Sequence, residues 1–338
     1  MLFDPDFKYT PELDSDGYKN PLDKNRITPD PRIIYNERDG YYYGIYTGQT
    51  HLTLHRTRDI RCMFNSSEES VIYLPSDADG TYGFLWAPEI HIIDGVWYIY
   101  TSTHERDTKN FKHVIVLRAK DSENPMAGFE LAAHVNPTLY AIDPTILDDP
   151  ELGLYICYSA VLEGCQRLCI QKMKSPTEPE GDYAVIASPV YPWELIPPYD
   201  MATEPINEGA FFIKKGKRLF IVYSGNGCWS NDYVFGIIEF KGGDLLDPTA
   251  WEKLDTPFMT RGNGNFGPGH ATFFTPPTRP SSLCATTASI TKTPSAWRYP
   301  ATVIYKRCSL TSMTFRTSDC RCPRASATSC PPARRLLA

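Results

Sequence analysis

The C-terminal part of the chain, residues 276–338, contains no glycine, although the whole chain has 22. Tight β-turns commonly need a residue with positive φ, and glycine adopts that conformation at the least steric cost. Residues 276–338 also lack a sustained alternation of apolar and polar side chains. We therefore expect strand-turn-strand folding to stop near residue 275 and this segment to be disordered or foreign to the fold.

The chain also lacks a long apolar run. No stretch of about 18 apolar residues occurs in the sequence, so we expect no membrane-spanning helix. Its first residues, MLFDPDFKYTPELD, are acidic where a secretory signal peptide has a basic start and an apolar core. These residues do not resemble an export signal, and they leave the compartment open.

Positive charge is scarce before residue 276. The formal net charge is −6, yet residues 276–338 hold ten Lys and Arg and a single acid, Asp319. Residues 1–275 are therefore strongly acidic. An acidic surface repels phosphate backbones, so nucleic acid is not an expected partner.

Metal-ligand spacing is missing among the cysteines, although the chain has ten. Cys165 and Cys169 lack the two-residue spacer and the second pair that a zinc site requires. Half of the cysteines precede residue 276, mostly in strand-like runs, where a free thiol packs as a small apolar group. Those five are Cys62, Cys157, Cys165, Cys169 and Cys228.

A repeated pattern of strands is present. Its first unit, PRIIYNERDGYYYGIYT from Pro31, has two runs rich in β-branched and aromatic residues around a turn. In this first unit the pattern predicts three strands, at 32–35, 40–47 and 51–57. The five units begin at Pro31, Pro88, Pro144, Gly209 and Ala271, with spacings of 57, 56, 65 and 62 residues.

A repeat of this length in an all-strand pattern is typical of a β-propeller. We predict an all-β fold with three segments: an N-terminal arm at 1–28, a five-bladed β-propeller at 29–275, and the atypical segment at 276–338. Because the pattern ends soon after the fifth start, the fifth blade is expected to be incomplete.

Three acids lie at the starts of these units: Asp30, Asp143 and Glu208. The innermost strands of a propeller run in one direction along the central channel, so their starts meet on one face. Three carboxylates at one channel mouth would repel each other and raise at least one pKa. Glycoside hydrolysis uses such a group, with one acid protonated and another activating water.

Five ordered motifs resemble glycoside hydrolase family 43: Asp30-Pro31-Arg32-Ile33, Trp86-Ala87-Pro88-Glu89-Ile90, Ile142-Asp143-Pro144, Asn207-Glu208-Gly209 and Gly267-Pro268-Gly269-His270. Members of that family are five-bladed propeller α-L-arabinofuranosidases, β-xylosidases and arabinanases that act with inversion.

The resemblance implies roles for four residues. Asp30 would be the general base and Glu208 the general acid, while Asp143 would tune the pKa of the acid and hold it in place. His270 matches a channel histidine that in many members helps to hold a calcium ion, another ion or water. The alternative for His270 is a hydrogen-bonded channel residue without metal. No cofactor is required by the predicted chemistry, and a structural calcium ion in the channel is a further expectation.

The chain departs from the family pattern in three places. Ala210 stands where the family usually has proline, and Ala271 where it often has Asn or Ser, but neither change removes a carboxylate. The third departure is the missing remainder of blade five. An open ring would loosen the spacing between the acids, so the activity of this chain stays open at this point.

Sugar rings bind on flat apolar platforms beside catalytic acids. Trp86, just before the second start, is the strongest candidate, and Phe84, Tyr46 and Trp229 are weaker ones. The alternative for each is packing in the core.

The expected function is an inverting glycosidase that releases terminal α-L-arabinofuranosyl groups from arabinan-type or arabinoxylan-type plant carbohydrate. A β-xylosidase of the same family is the alternative within the class, and a non-catalytic carbohydrate-binding propeller is the alternative outside it. We expect a monomer with a carbohydrate substrate. A polymeric substrate suggests an extracellular location, although no leader is visible.

Overall fold

The computed structural model describes residues 27–106, 108–196, 205–261 and 266–274, and the backbone of two further strands at 282–289 and 304–308. The predicted arm at 1–28 lies almost wholly outside the described residues. The boundaries proposed for the three segments stay predictions.

The described residues form five antiparallel sheets, each with its strands in sequence order from the inside outwards. Blade one contains β1 (Arg32–Asn36), β2 (Tyr41–Ile45), β3 (Leu52–Thr57) and β4 (Glu68–Tyr73). Blade two contains β5 (Trp86–Ile93), β6 (Val96–Glu105), β7 (Thr108–Ala119) and β8 (Phe129–Val135). Blade three contains β9 (Ala141–Asp149), β10 (Gly153–Leu162), β11 (Cys165–Ser175) and β12 (Glu178–Ala187). Blade four contains β13 (Asn207–Lys215), β14 (Arg218–Gly225), β15 (Val234–Phe240) and β16 (Trp251–Lys253). Blade five contains β17 (Phe266–Phe274), β18 (Ser282–Ser289) and β19 (Ile304–Cys308).

The five innermost strands close a ring. Strands β1, β5, β9, β13 and β17 contact one another in that order, and β17 also contacts β1. This arrangement confirms the predicted five-bladed β-propeller. Blade five has three strands among the described residues, where the other blades have four.

Helical structure is limited to single 3₁₀ turns in the described part of the chain, and none of these is long and apolar enough to cross a membrane. They span Ile60–Cys62, Asp77–Asp79, Pro125–Ala127, Pro192–Glu194 and Pro248–Ala250.

Two parts of the sequence prediction were wrong. Strand β4 was missed because it begins with two exposed acids, Glu68 and Glu69, and only its last two residues are buried and apolar. Strand pairing also continues beyond residue 275, since β18 pairs with β17 and β19 pairs with β18. The strands themselves need no glycine, so its absence was a poor guide to them. The rest of 276–338 lies outside the described residues.

The apolar core is divided among the junctions between blades. Five clusters of buried side chains occupy the five junctions, from blades one and two round to blades five and one. At the first junction the rings of Tyr43 and Trp97 meet edge to face, with centroids 4.7 Å apart. At the last junction Phe274 packs with Ile33 and Tyr42. Because each blade buries apolar area against both neighbours, the ring is stabilised by its closure.

Every inner strand has a left-handed residue near its start. A β-bulge at such a point turns the strand and re-aims its side chains, which is why bulges are common beside active sites. Register shifts mark the bulges in β5, β9, β13 and β17. The five residues are Asp30 (φ 52°), Ala87 (45°), Asp143 (55°), Gly209 (59°) and His270 (44°).

In blade four the acid lies one residue before the left-handed residue, whereas in blades one and three the acid is the left-handed residue itself. The left-handed residue of blade four is Gly209, so Ala210, rather than Gly209, corresponds to Pro31 and Pro144. A Cβ atom at Gly209 would lie 3.0 Å from Nδ1 of His270 and 3.1 Å from Oγ of Ser224. The backbone of blade four therefore approaches the channel closely, and the carboxyl group comes from the preceding residue.

Removing residues 276–338 should destabilise the propeller. The deletion takes away β18 and leaves one edge of β17 unpaired, which lowers stability and favours self-association. We expect Tm to fall by several degrees and size-exclusion chromatography to show oligomers. A shortened chain with an unchanged Tm and a single monomeric peak would contradict the pairing of β17 with β18.

Candidate active site

The three predicted acids meet at one end of the channel around His270. Its Nδ1 atom lies 3.6 Å from Oδ1 of Asp30 and 3.6 Å from Oδ2 of Asp143. The backbone N–H of Gly209, next to Glu208, donates a 2.9 Å hydrogen bond to Oδ2 of Asp143. Residues from blades one, three, four and five therefore share one site, as the repeat predicted.

Asp30 is the most accessible of the three acids. Its side chain is 24% exposed, whereas that of Asp143 is 8% exposed. Oδ2 of Asp30 accepts a 2.5 Å hydrogen bond from Oγ1 of Thr47, which in turn accepts one of 2.8 Å from the N–H of Ala87. The carboxylate is thus oriented by blades one and two and can be reached by water.

Glu208 is buried and held at both oxygens. Tyr233 donates its hydroxyl to Oε1 over 3.0 Å, and Gln166 donates Nε2 to Oε2 over 2.9 Å. Burial and then the nearby charge of Asp143 raise the pKa of Glu208 to about 8, against the opposing effect of these two donors. A carboxyl group with this pKa can hold a proton near neutral pH.

Asp143 is buried, and its charge lies close enough to Glu208 to act on that carboxyl group. Burial, followed by the charge of Asp30, raises the pKa of Asp143, while the hydrogen bond from Gly209 opposes the shift. The two carboxyls cannot both ionise cheaply in a dry site, so at least one of them is expected to stay protonated near neutral pH.

A second layer of side chains fills the channel beneath the acids. Each member follows the left-handed residue of its strand by two positions and so projects from the same face of the strand. The five residues are Arg32, Glu89, Thr145, Phe211 and Thr272.

This layer is built around a buried ion pair. Nε of Arg32 lies 3.6 Å from Oε2 of Glu89, and Arg32 also reaches Oγ1 of Thr272 at 3.4 Å and the ring of Phe211 at 4.8 Å. Thr145 donates to Oε2 of Glu89 over 3.0 Å. Burial alone would raise the pKa of Glu89, but its charged neighbours outweigh that effect and lower it. The layer therefore links all five blades.

The expected calcium site does not fit this channel well. The described residues include no group of three His, Cys, Asp or Glu side chains that could hold a metal ion. The layer below His270 already contains the guanidinium of Arg32, which supplies positive charge there. Calcium at His270 stays a prediction, and the chemistry below is derived without it.

Trp86 and Phe84 lie together on the blade-two side of the acids. Their ring centroids are 6.4 Å apart, and Phe84 is 40% exposed. Trp86 directly precedes Ala87, whose N–H is bound by Thr47 of the Asp30 network. The ammonium group of Lys112 lies 3.8 Å from the Trp86 ring centroid and fixes the ring by a cation–π contact. This position suits a sugar platform, and the role stays a prediction.

The two weaker aromatic candidates are placed differently. Trp229 is partly exposed in the loop after β14, two residues beyond Gly227, whose backbone its ring covers. Tyr46 packs in blade one, stacked on His55 and edge-on to Phe64. Tyr46 therefore has core contacts, and a substrate contact for either residue stays a prediction.

Sequence reasoning missed the residues that surround the acids. Thr47, Gln166, Tyr233 and Lys112 come from second or third strands or their flanking loops, where no repeated motif marks them. One indirect signal was available for Tyr233: the second glycine of the Gly-Pro-Gly-His motif, Gly269, is required because a Cβ atom there would overlap the Tyr233 ring.

The five cysteines that precede residue 276 are thiols and form no disulfide among the described residues. Cys157, Cys165 and Cys169 are buried in strands of blade three. Cys228 differs from the other four cysteines because it lies near the acids of the site. Burial raises the pKa of its thiol, and the charges of Glu208 and Asp30 raise it further, so the group lies close to the acids as a neutral thiol.

A five-bladed propeller with three carboxyls at one channel mouth is an arrangement suited to glycoside hydrolysis. The model of the family "Glycosyl hydrolases family 43" matches residues 18–294 of the chain. The chain belongs to this family and is an enzyme that acts on carbohydrate.

Relatives of known function are similar over most of the chain. An extracellular exo-α-(1→5)-L-arabinofuranosidase of Streptomyces chartreusis is 27% identical over 267 residues, which cover 76% of this chain and 77% of the relative. The α-L-arabinofuranosidase B of Pyricularia oryzae is 27% identical over 271 residues, 76% of this chain and 53% of the relative. The chain thus spans about half the length of some of its curated relatives.

Solved structures support the fold. The crystal structure of an α-L-arabinofuranosidase from Lactobacillus brevis superimposes with a TM-score of 0.74 at 24% identity, covering 86% of this chain and 92% of that one.

The burial of Glu208 should be visible in the pH dependence of stability. Because its folded pKa of about 8 lies above the unfolded value of about 4.3, its contribution to stability is full at low pH and is lost as pH rises through 8. Gln stays neutral throughout. The Tm of Glu208→Gln minus that of the wild type should therefore increase between pH 5 and pH 9.

Glu130→Gln, at an exposed position, is the matched control and should show no such trend. A Tm difference for Glu208→Gln that stays constant over this pH range would contradict the raised pKa.

Proposed function

We propose that this enzyme is an inverting α-L-arabinofuranosidase that releases terminal α-L-arabinofuranosyl groups from arabinan-type or arabinoxylan-type carbohydrate. The observation that carries the proposal is the meeting of Asp30, Asp143 and Glu208 around His270. The curated relatives, which are arabinofuranosidases, support arabinose as the sugar.

In this mechanism Glu208 is the general acid. It is buried, its pKa is raised to about 8, and it therefore retains the proton that the glycosidic oxygen needs at neutral pH. Tyr233 and Gln166 hold the carboxyl group in one orientation. Asp143 contributes in two ways: its charge disfavours ionisation of Glu208, and its bond to the N–H of Gly209 fixes the backbone beside the acid.

Asp30 is the general base. It is the acid that water can reach, and Thr47 aims its carboxylate. With the proton donor and the base on opposite sides of the sugar, water displaces the leaving group and the anomeric configuration inverts. The Nδ1 atom of His270 lies 3.6 Å from a carboxyl oxygen of both Asp30 and Asp143.

Substitution of either acid should abolish most activity. General acid or base catalysis contributes roughly 10²–10⁴-fold, so Glu208→Gln and Asp30→Asn should each lower kcat on an α-1,5-linked arabino-oligosaccharide by about that factor. Lys174→Gln, at an exposed position on β11 of blade three, is the control and should leave kcat unchanged. Near-normal turnover by either acid variant would defeat the assignment.

The sugar specificity and stereochemistry need a separate measurement. The wild-type enzyme is given 4-nitrophenyl α-L-arabinofuranoside and 4-nitrophenyl β-D-xyloside, and the first product anomer is followed by ¹H NMR. We expect faster release from the arabinofuranoside and initial formation of β-L-arabinofuranose. Faster release from the xyloside would identify a β-xylosidase. Binding of oligosaccharide without release from either compound would identify a carbohydrate-binding propeller.

A further inference from the structure

The connector between blades three and four carries a buried carboxylate that this mechanism does not use. Glu194 ends the 3₁₀ turn Pro192–Glu194 and is 0% exposed. A carboxylate without water is very costly unless charged or polar donors surround it. The donors around Glu194 therefore indicate which parts of the chain it positions.

Five donors from different parts of the chain satisfy Glu194. Oε2 accepts hydrogen bonds from the backbone N–H groups of Val190 (2.9 Å) and Tyr191 (3.0 Å). Oε1 accepts from the hydroxyl of Tyr223 on β14 and from Nδ2 of Asn207 on β13, both at 2.9 Å. The fifth donor is Nζ of Lys253 on β16, at 2.5 Å.

Lys253 extends the network. Its ammonium group also donates to the carbonyl oxygen of Ser188 over 2.6 Å and to Oδ1 of Asn207 over 2.9 Å. Burial lowers the pKa of Lys253 to about 8, and the charge of Glu194 opposes that shift. A buried ion pair is weak evidence for net stability, because apolar residues often stabilise such a position as well. A role in fixing one conformation is the better-attested use of such pairs.

The group that the pair fixes is Asn207, the residue before the general acid. Its Nδ2 atom binds Glu194 and its Oδ1 atom binds Lys253, so the amide plane has one orientation. Its carbonyl oxygen accepts a 2.6 Å hydrogen bond from Oγ of Ser159 on β10. Both ends of Asn207 are therefore held, immediately before the bulge at Gly209.

The same connector also contacts Asn226, which binds the loop that carries Tyr233. Asn226 accepts from the N–H of Ile196 over 3.2 Å and donates Nδ2 to the carbonyl oxygens of Trp193 and Asp232, both at 2.8 Å. Tyr233, which donates to Glu208, directly follows Asp232. The segment around Glu194 thus constrains Glu208 from its own strand and from the loop that presents Tyr233.

We propose that Glu194, together with Lys253, is a positioning residue for the general acid: the pair orients Asn207 and thereby sets where Glu208 presents its proton. This inference rests on the proposed role of Glu208. It predicts that loss of Glu194 impairs proton donation more than substrate binding or water activation.

Leaving-group dependence distinguishes this role from a general structural one. An aryl leaving group such as 4-nitrophenolate departs with little help from an acid, whereas an alkoxide needs protonation. A misplaced acid therefore lowers kcat for an unactivated arabino-oligosaccharide and largely spares the aryl arabinofuranoside. A loss of folded enzyme lowers both by the same factor.

The test compares kcat and KM of the wild type, Glu194→Gln and Glu252→Gln on these two substrates. Gln keeps the size of Glu194 but loses the charge and one acceptor. Glu252 lies on β16 next to Lys253 in an exposed ion pair with Lys241, which makes it the matched control. For Glu194→Gln we expect kcat on the oligosaccharide to fall by about 10-fold or more, as for other losses in acid catalysis. The aryl substrate, both KM values and the control should change little.

Equal losses on the two substrates, or no loss, would overturn the inference. If Glu194→Gln does not fold, as judged by circular dichroism and thermal unfolding, Asn207→Ala keeps the ion pair, removes the amide that links it to the strand of the acid, and should show the same selectivity. An unselective loss in that variant would also overturn it. A wild-type chain that cleaves neither substrate would contradict the proposed function itself, whereas an active wild type with unselective variants contradicts this inference alone.

Discussion

The close approach of two buried carboxyls, Asp143 and Glu208, is the constraint on which the rest of the site depends. Two carboxylates in a dry environment repel each other strongly, so one proton is retained over the neutral range. That retained proton is what an acid catalyst needs. The arrangement is unfavourable for the fold, and the surrounding ring of packed blades compensates for it.

The propeller brings these carboxyls together through one repeated feature, a left-handed residue near the start of each inner strand. Each inner strand bends at a left-handed residue, and the five bends face one another across the channel. Two of them are Asp30 and Asp143, one is His270, and one is Gly209, whose backbone comes close enough for its N–H to bond Asp143. The layer beneath, centred on Arg32 and Glu89, ties the same strands together with a compact network of polar contacts.

The sequence allowed the fold and the convergence of the three acids to be predicted, because both follow from the repeat. Asp30 and Asp143 stand at equivalent positions of blades one and three, and Glu208 stands one residue before the equivalent position of blade four. That offset was not visible in the sequence, since only the φ angle of Gly209 reveals it. The family model and the curated relatives agree with the resemblance that these motifs suggested.

What the sequence did not reveal has a common physical origin. Gln166, Tyr233 and Glu194 reach the site or its supports from outer strands and connectors, whose contacts depend on how blades pack together and leave no fixed spacing in the chain. Strands β18 and β19 were missed for a different reason: glycine content reports on turns, whereas strand pairing depends on backbone hydrogen bonds with β17.

The most direct test of the central claim is the protonation state of Glu208 itself. Infrared difference spectra between the wild type and Glu208→Gln, recorded from pH 5 to pH 10, report the carboxyl stretch of Glu208 together with any change of protonation at Asp143. The account predicts a protonated carboxyl band at pH 6 that is replaced by a carboxylate band as pH rises through about 8. A carboxylate band already complete at pH 6 would contradict it.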